Sequence, residues 1–206
     1  MVAVVQTPAA ACNIALVRMG YSKGRIGTLY EGSHAAKQFL DIYGQTRDEL
    51  LRSFDWGFAR RDLSLTLLKS APVGGYIPPT MWNPAVNPPI SFLFEYAYPS
   101  DCLKERIVKS PALFGPNFDP QPYLFSVAND DAYTPPQRVI LTNVPNAIMV
   151  YTGQVTDPTT WDVGFVESFA AALARRTALA LVGLEPAKFA ASDEQISSAM
   201  AELEQG

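Results

Sequence analysis

The sequence predicts an α+β fold, with a helical bundle built from both chain ends and an antiparallel β region inserted between them. Two observations carry this. Helix-start signals and apolar residues at helical spacing occupy residues 1–56 and 157–206. Short β-type runs separated by turn signals fill residues 57–156. A third agrees with both: the seventeen prolines crowd the middle of the chain and leave its ends nearly free.

From the N-terminus, Thr7-Pro8 pairs a hydroxyl N-cap with a proline at the first helical position, where the missing N–H costs nothing. It predicts a short helix over 9–19, stopped at Gly20. Thr28 and Glu31 have capping-box spacing, so a long second helix is expected over 29–54. Its apolar stripe is Ala36, Leu40, Tyr43, Leu50 and Phe54, with Phe39 and Leu51 at the edges. Arg47 lies on that stripe, so the helix either bends near Gly44 or lets Arg47 snorkel past the core. Beyond Trp56, residues 62–67 alternate polar and apolar and read as one half-buried strand.

Residues 70–89 are too rich in Pro and Gly for regular structure. A loop of that length is usually functional or disordered. Tyr76, Ile77, Met81 and Trp82 give it apolar anchors, which predicts docking. Further strands are expected at 92–98, 103–108, 123–127, 138–141 and 147–151, in an antiparallel sheet or small barrel. Asp157-Pro158 repeats the N-terminal device and predicts a helix to Val182, ended by Gly183. Trp161, Phe165, Phe169, Ala172, Leu173 and Leu179 are expected to line its buried side. A final helix is expected from Ser192, with a thin stripe of Ile196, Met200 and Leu203.

Composition excludes several classes. At 48% hydrophobic and 17% charged residues the chain has the make-up of a globular protein. No apolar run reaches the roughly 18 residues of a membrane span, and no basic segment precedes the first apolar run, so neither a membrane anchor nor a secretory signal is expected. A net charge of −4 argues against general phosphate-backbone binding. Cys12 and Cys102 lack metal or redox spacing and read as buried free thiols of a reducing compartment.

The motifs of catalysis are missing. The single histidine, His34, cannot furnish a zinc site or a metalloprotease pair. There is no G-x-S-x-G elbow, phosphate-cradling loop or dinucleotide fingerprint. Asp130-Asp131 precedes a proline turn and reads as solvated loop or cap; acid/base work there would need a second carboxyl placed across a sugar. No enzyme, cofactor or metal is therefore expected. Arg60-Arg61 and Arg175-Arg176 are either solvated faces or partner contacts.

Several segments in order carry a resemblance. A short helix ends in GY, a long helix runs into SFDWGFARRDLSL, YPSDCLKERIV follows, and then AIMVYTGQVTDPTTWDVGFVESFAAALARRTALALVG. In this order they resemble the head-to-tail adaptor family of short-tailed bacteriophages (tail tubular protein A-like), over nearly the whole chain. The resemblance implies a virion protein assembled in the host cytoplasm. It implies a twelve-subunit ring between portal and tail nozzle, with DNA passing through its lumen unread, and no catalytic residues. Under it, Arg175, Arg176, Ile196, Met200 and Leu203 are the expected portal-side contacts. Tyr76, Ile77, Met81 and Trp82 are the expected tail-side or neighbour contacts. Several members carry a longer C-terminal extension that grips the portal; here the Pro-rich loop is expected to carry more of that contact. An acidic ring would repel DNA and let it slide.

Two other readings compete with this one. A β-rich virion module recognising carbohydrate would use Trp82 and nearby aromatics as its platform. A hydrolase would depend on His34 or Asp130.

Overall fold

In the computed structural model the described residues are 7–76, 81–111 and 122–183. They form three α-helices and two antiparallel sheets, an α+β fold. The chain divides into two compact units: Met1–Ala59 with Gln154–Gly206, which is helical where described, and Arg60–Gly153, which is all β where described.

In the helical unit, α1 spans Pro8–Arg18. The Thr7 hydroxyl accepts from Ala10 N–H at 3.2 Å, the capping that its sequence implies. Gly20, at φ +69°, ends the helix in a Schellman arrangement, with Tyr21 N–H reaching Leu16 O and Gly20 N–H reaching Val17 O, both at 3.0 Å. Asn13 then ties the following loop to α1 by exchanging two 2.9 Å bonds with the Ile26 backbone.

The second helix begins later than Thr28 predicts. The Glu31 carboxylate does turn back onto Gly27 and Thr28 N–H, and the Thr28 hydroxyl accepts from Tyr30. That closes a separate turn, because Gly32 at φ +82° breaks the right-handed run. Ser33 is the true N-cap, accepting from Ala36, and α2 spans His34–Ser53. Its buried face runs through Ala36, Phe39, Tyr43, Thr46 and Leu51, rotated from the predicted stripe, so Leu40 is exposed.

Asp157 likewise caps only a single 3₁₀ turn, Pro158–Thr160. Trp161 returns to extended backbone, and Asp162 caps α3, Val163–Val182, by accepting from Phe165 at 2.7 Å. Gly183 in the left-handed region ends it as predicted. Leu179, expected to be buried, is exposed, while Val166, Ala170 and Ala174 are buried along with Phe165 and Phe169. Small residues on several sides let α3 pack against both other helices. It reaches α1 through the Arg18–Glu167 ion pair and Thr177 beside Met19, and α2 through Arg176, which bonds to the Thr46 hydroxyl and Glu49. The core is aromatic: Phe165 lies edge-on to Trp56, Phe58 and Trp161 at 5.0–5.2 Å, and Tyr43 edge-on to Phe169 at 5.0 Å. Trp56 and Trp161 spend their N–H groups on the Leu50 and Val155 carbonyls.

In the β unit the strands, expected in an antiparallel sheet or small barrel, form two antiparallel sheets. The first has order β1 (Arg60–Ser64), β7 (Ile148–Gly153), β4 (Cys102–Lys109). The second has order β2 (Leu67–Ser70), β3 (Phe94–Ala97), β6 (Gln137–Thr142), β5 (Phe125–Asp130). The strand expected at 62–67 is thus cut at Leu65-Thr66, where the chain leaves one sheet for the other. Its first half, β1, is exposed throughout rather than half-buried. A shared core of Leu65, Tyr96, Val108, Ile140, Met149 and Tyr151 draws on both sheets. YPSDC makes the crossing from β3 to β4: Cys102 N–H bonds to Pro99 O, and Asp101 accepts from the Tyr151 hydroxyl at 2.8 Å.

Candidate functional site

The feature of the β unit with the greatest chemical potential is a buried cluster of charge beneath the Pro-rich segment. Lys69 on β2 and Glu95 on β3 are directly opposed across the ladder. The register shift between Leu67 and Lys69 re-aims the lysine inward, as an extra residue in a strand does. Lys69 is 6% exposed and Glu95 2%. Asp130, at the end of β5, completes the group.

An ammonium taken out of water must find partners for its three protons. Lys69 Nζ donates to Pro84 O at 2.8 Å and to the Asp130 carboxylate. It lies 3.5 Å from Glu95 Oε1 and 5.3 Å from the centre of the Tyr133 ring. Burial works against its charge, but the hydrogen bond to Asp130 and the charges of both carboxylates outweigh that, and its pKa is raised. Asp130 is held below the usual carboxylate range: burial pushes it up, while Lys69 and Ala132 N–H pull it down further. Glu95 goes the other way. Burial, and then Asp130, push it up to about 7 against the opposing pull of Lys69. Near neutral pH Glu95 is therefore only partly ionised, and whatever charge it carries is in excess of the Lys69–Asp130 pair. Glu95 Oε1 is buried and accepts no hydrogen bond.

Above the cluster is an open cavity of about 480 Å³. Strap residues Trp82, Pro84, Ala85 and Pro89 and β6 residues Val139 and Leu141 line it, together with Asn129 and Asp131. The strap, residues 71–76 and 81–93, is fastened at several points. Ala71 N–H bonds to Leu93 O, Leu93 N–H to the Asn143 side chain, and Asn83 caps a turn through Val86 and Asn87.

Of the predicted strap anchors, Tyr76 and Trp82 both donate to Pro88 O, at 3.4 and 2.8 Å, which ties both rings to the strap's own backbone while Trp82 stays 41% exposed. Met81 is instead 83% exposed, and Val86 and Ile90 also face solvent. Ile77 lies outside the described residues. On α3, Arg175 is exposed and the Arg176 guanidinium is engaged by Glu49 and Thr46 within its own unit. The final helix, with Ile196, Met200 and Leu203, also lies outside the described residues.

His34 is exposed at the first residue of α2. Cys12 and Cys102 are both buried free thiols, and burial pushes Cys12 up to about 12. In the helical unit a second concavity, about 530 Å³, lies among the start of α1, residues 27–30 and the middle of α2, with the buried, unpartnered Tyr43 hydroxyl in its lining residue set. Among the described residues no group of three or more His, Cys, Asp or Glu side chains is placed to hold a metal, and no helix is long and apolar enough to cross a membrane.

Lys69 and Glu95 are not singled out by motif reading. Glu95 leaves a trace by interrupting the apolar run SFLFEYAY. Lys69 leaves none, because the register shift separates it from the exposed Leu63 and Leu67 with which it falls in phase in sequence. Asp130, read as a solvated loop acid, is their partner. Compared with known proteins, the chain matches no family model and no curated sequence.

Proposed function

We propose that this chain is a structural subunit of a head-to-tail adaptor ring, joining a phage portal to its tail nozzle and lining the channel for DNA. In this reading the described helices and the C-terminal segment form a bundle directed to the portal, and the β unit is directed to the nozzle. The protein acts by assembly, with no catalysis. Its partners are copies of itself in a ring of twelve, the portal, the nozzle, and DNA that passes without sequence recognition.

The observation that carries the proposal is the strap. Lys69 ties it to the sheet at Pro84 O and Tyr76 and Trp82 brace it internally at Pro88 O, while Met81, Val86 and Ile90 are held out to solvent. A hydrogen-bonded segment that presents apolar side chains outward is suited to a protein interface, because those bonds lessen the ordering entropy lost when a partner covers it. The ordered sequence segments that resemble the adaptor family, and the exposed β1 at the margin of its sheet, support the same reading.

Purified chain mixed with portal rings is the test. Co-sedimentation, with a second ring of density below the portal in electron micrographs, is the expected result. A chain that stays unbound and monomeric at micromolar concentration under assembly conditions would sink the proposal.

A further inference from the structure

The helical unit holds a cavity for which ring assembly alone gives no use. It has a volume of about 530 Å³ and lies among the start of α1, residues 27–30 and the middle of α2. From α2, Leu40, Tyr43, Gly44 and Arg47 line it, one face of the helix at i, i+3, i+4 and i+7. Pro8, Leu29 and Tyr30 add apolar walls, and among the described residues of the lining Arg47 alone is charged. We propose that this cavity binds a small apolar monocarboxylate, with its carboxylate on the Arg47 guanidinium and its hydrocarbon body over Gly44.

Arg47 supplies the polar contact. Its side chain is 11% exposed, and its Nε–H is spent on Asp48 at 2.8 Å. Nη1 and Nη2 donate to no described residue. They are nonetheless open: among the described residues, the side-chain polar atoms both sealed from solvent and unpartnered are Tyr43 Oη and Glu95 Oε1. A half-buried guanidinium with its outer fork free is shaped for two parallel hydrogen bonds to one carboxylate. The acids nearby are already engaged. Asp48 also accepts from Gln154 at 2.7 Å, and Glu31 is taken up by Gly27 and Thr28 N–H and the Ser33 hydroxyl. A cation would meet the Arg47 charge, and a neutral guest would forgo the charge-assisted pair.

Gly44 supplies the space. It sits in the middle of α2 without a positive φ, where glycine costs stability relative to alanine. A Cβ added there would meet nothing within 4 Å, so no close approach of another element demands the glycine. What the missing side chain does is leave bare backbone on the cavity wall between Leu40 and Arg47. Leu40 is 40% and Tyr30 83% exposed, apolar surface that an aliphatic or aryl guest would cover. A volume of about 530 Å³ falls within the ordinary range for small-ligand sites.

The cavity lies within the helical unit, so the proposal stands or falls apart from the ring reading. Acid binding by a chain that ignores portal rings would leave it standing, and ring assembly without acid binding would not rescue it.

Titration of the full chain with octanoate and phenylbutyrate near neutral pH, read by calorimetry and saturation-transfer NMR, is the test. Octanamide, octylammonium and acetate are the comparators. At least one of the two acids is expected to bind with a Kd of about 10 μM to 1 mM, and each comparator about tenfold more weakly or worse. Arg47→Gln is expected to weaken acid binding about tenfold. Gly44→Leu occupies the space and is expected to abolish binding up to about 10 mM. Its thermal transition should hold or rise, because leucine is the better helix former. A purely structural role for Gly44 would not lose binding while stability is kept, and Arg47→Gln keeps the test open should the leucine disturb packing. No binding of either acid up to about 10 mM overturns the proposal. So does octanamide binding as tightly as octanoate, or acid binding unmoved by both substitutions. Self-association that Gly44→Leu abolishes, in a chain that binds neither acid, would give the cavity to a second copy and overturn it as well.

Discussion

Replacing Lys69 by Met keeps the aliphatic stem and removes only the charge and its three donors. The result would be two acids facing each other, at 12% and 2% side-chain exposure, and a Pro84 carbonyl without its partner. Breaking a buried ion pair on one side costs about 3–5 kcal/mol, and the carbonyl of Pro84, an exposed residue, adds less than a buried orphan would. These overlap, because the acids respond by taking up a proton, so we expect a net loss of about 4 kcal/mol near pH 8. With a denaturant slope of about 2 kcal/mol per M for a body of this size, the urea midpoint falls by about 2 M. The deficit must also shrink on acidification, since below pH 5 protons can neutralise the two carboxyls that the lysine no longer balances. Urea melts of both proteins at several pH values between 4 and 8 decide the matter. A variant within about 1 kcal/mol of the parent at pH 8, or a deficit that does not vary with pH, would refute the assignment of Lys69 as the keystone of the cluster.

The same cluster sets the pH profile of the parent. A carboxyl whose pKa rises on folding, from 4.5 to about 7 for Glu95, binds its proton more tightly in the folded state. Stability therefore drains away as pH climbs through that window, by about 3 kcal/mol in all, with no contribution below 4.5 and the full cost above about 7. Glu95→Gln should flatten this slope and raise the midpoint at pH 8; an unchanged slope in pH-dependent melts would place the titration elsewhere. For the helices, Asp162→Ala should cost about 1 kcal/mol through loss of the α3 cap, with Asp157→Ala costing less because it closes a single turn, and thermal melts of the pair rank them. Cys12 is 0% exposed and held to about 12, so its modification by a thiol reagent at pH 8 should track global unfolding; rapid labelling of the folded protein would contradict its burial.

The local punctuation of the fold is legible in the sequence. Thr7-Pro8, Gly20 and Gly183 act as their types require, and the apolar runs that become β3, β4, β6 and β7 are visible as strands. Reading fails where two signals compete within a few residues. Thr28-x-x-Glu31 has full capping-box chemistry, and Glu31 does turn back, but Gly32 ends that turn and hands the helix to Ser33. Asp157-Pro158 likewise takes the first cap and Asp162 the one that opens α3. Both motifs fix a hydrogen bond, and neither fixes how far the helix runs. Residues 62–67 show that period-two alternation locates extended backbone without saying which sheet it joins, because the break at Leu65-Thr66 leaves the alternation intact. The buried cluster is harder still to read, since its three members come from β2, β3 and β5 and meet only through strand pairing.

Such a cluster is not the cheapest way to fill that volume. A buried ion pair replaced by well-packed apolar groups often leaves a protein as stable or more so, so stability alone does not explain it. Its directional bonds do something apolar packing would not. Lys69 Nζ to Pro84 O fixes one point of the strap over the sheet, while the Tyr76 and Trp82 bonds to Pro88 O brace the strap internally. The combined variant Lys69→Met, Glu95→Leu, Asp130→Asn separates the two roles, because the introduced amide oxygen can still accept from Ala132 N–H as the Asp130 carboxylate does. We expect its urea midpoint to match the parent within the equivalent of about 1 kcal/mol, while proteolysis within the strap accelerates about tenfold, the opening free energy there having fallen by about 1.4 kcal/mol. Cleavage as slow as the parent's would mean that the internal braces hold the strap unaided, and the cluster would then need another reason to exist.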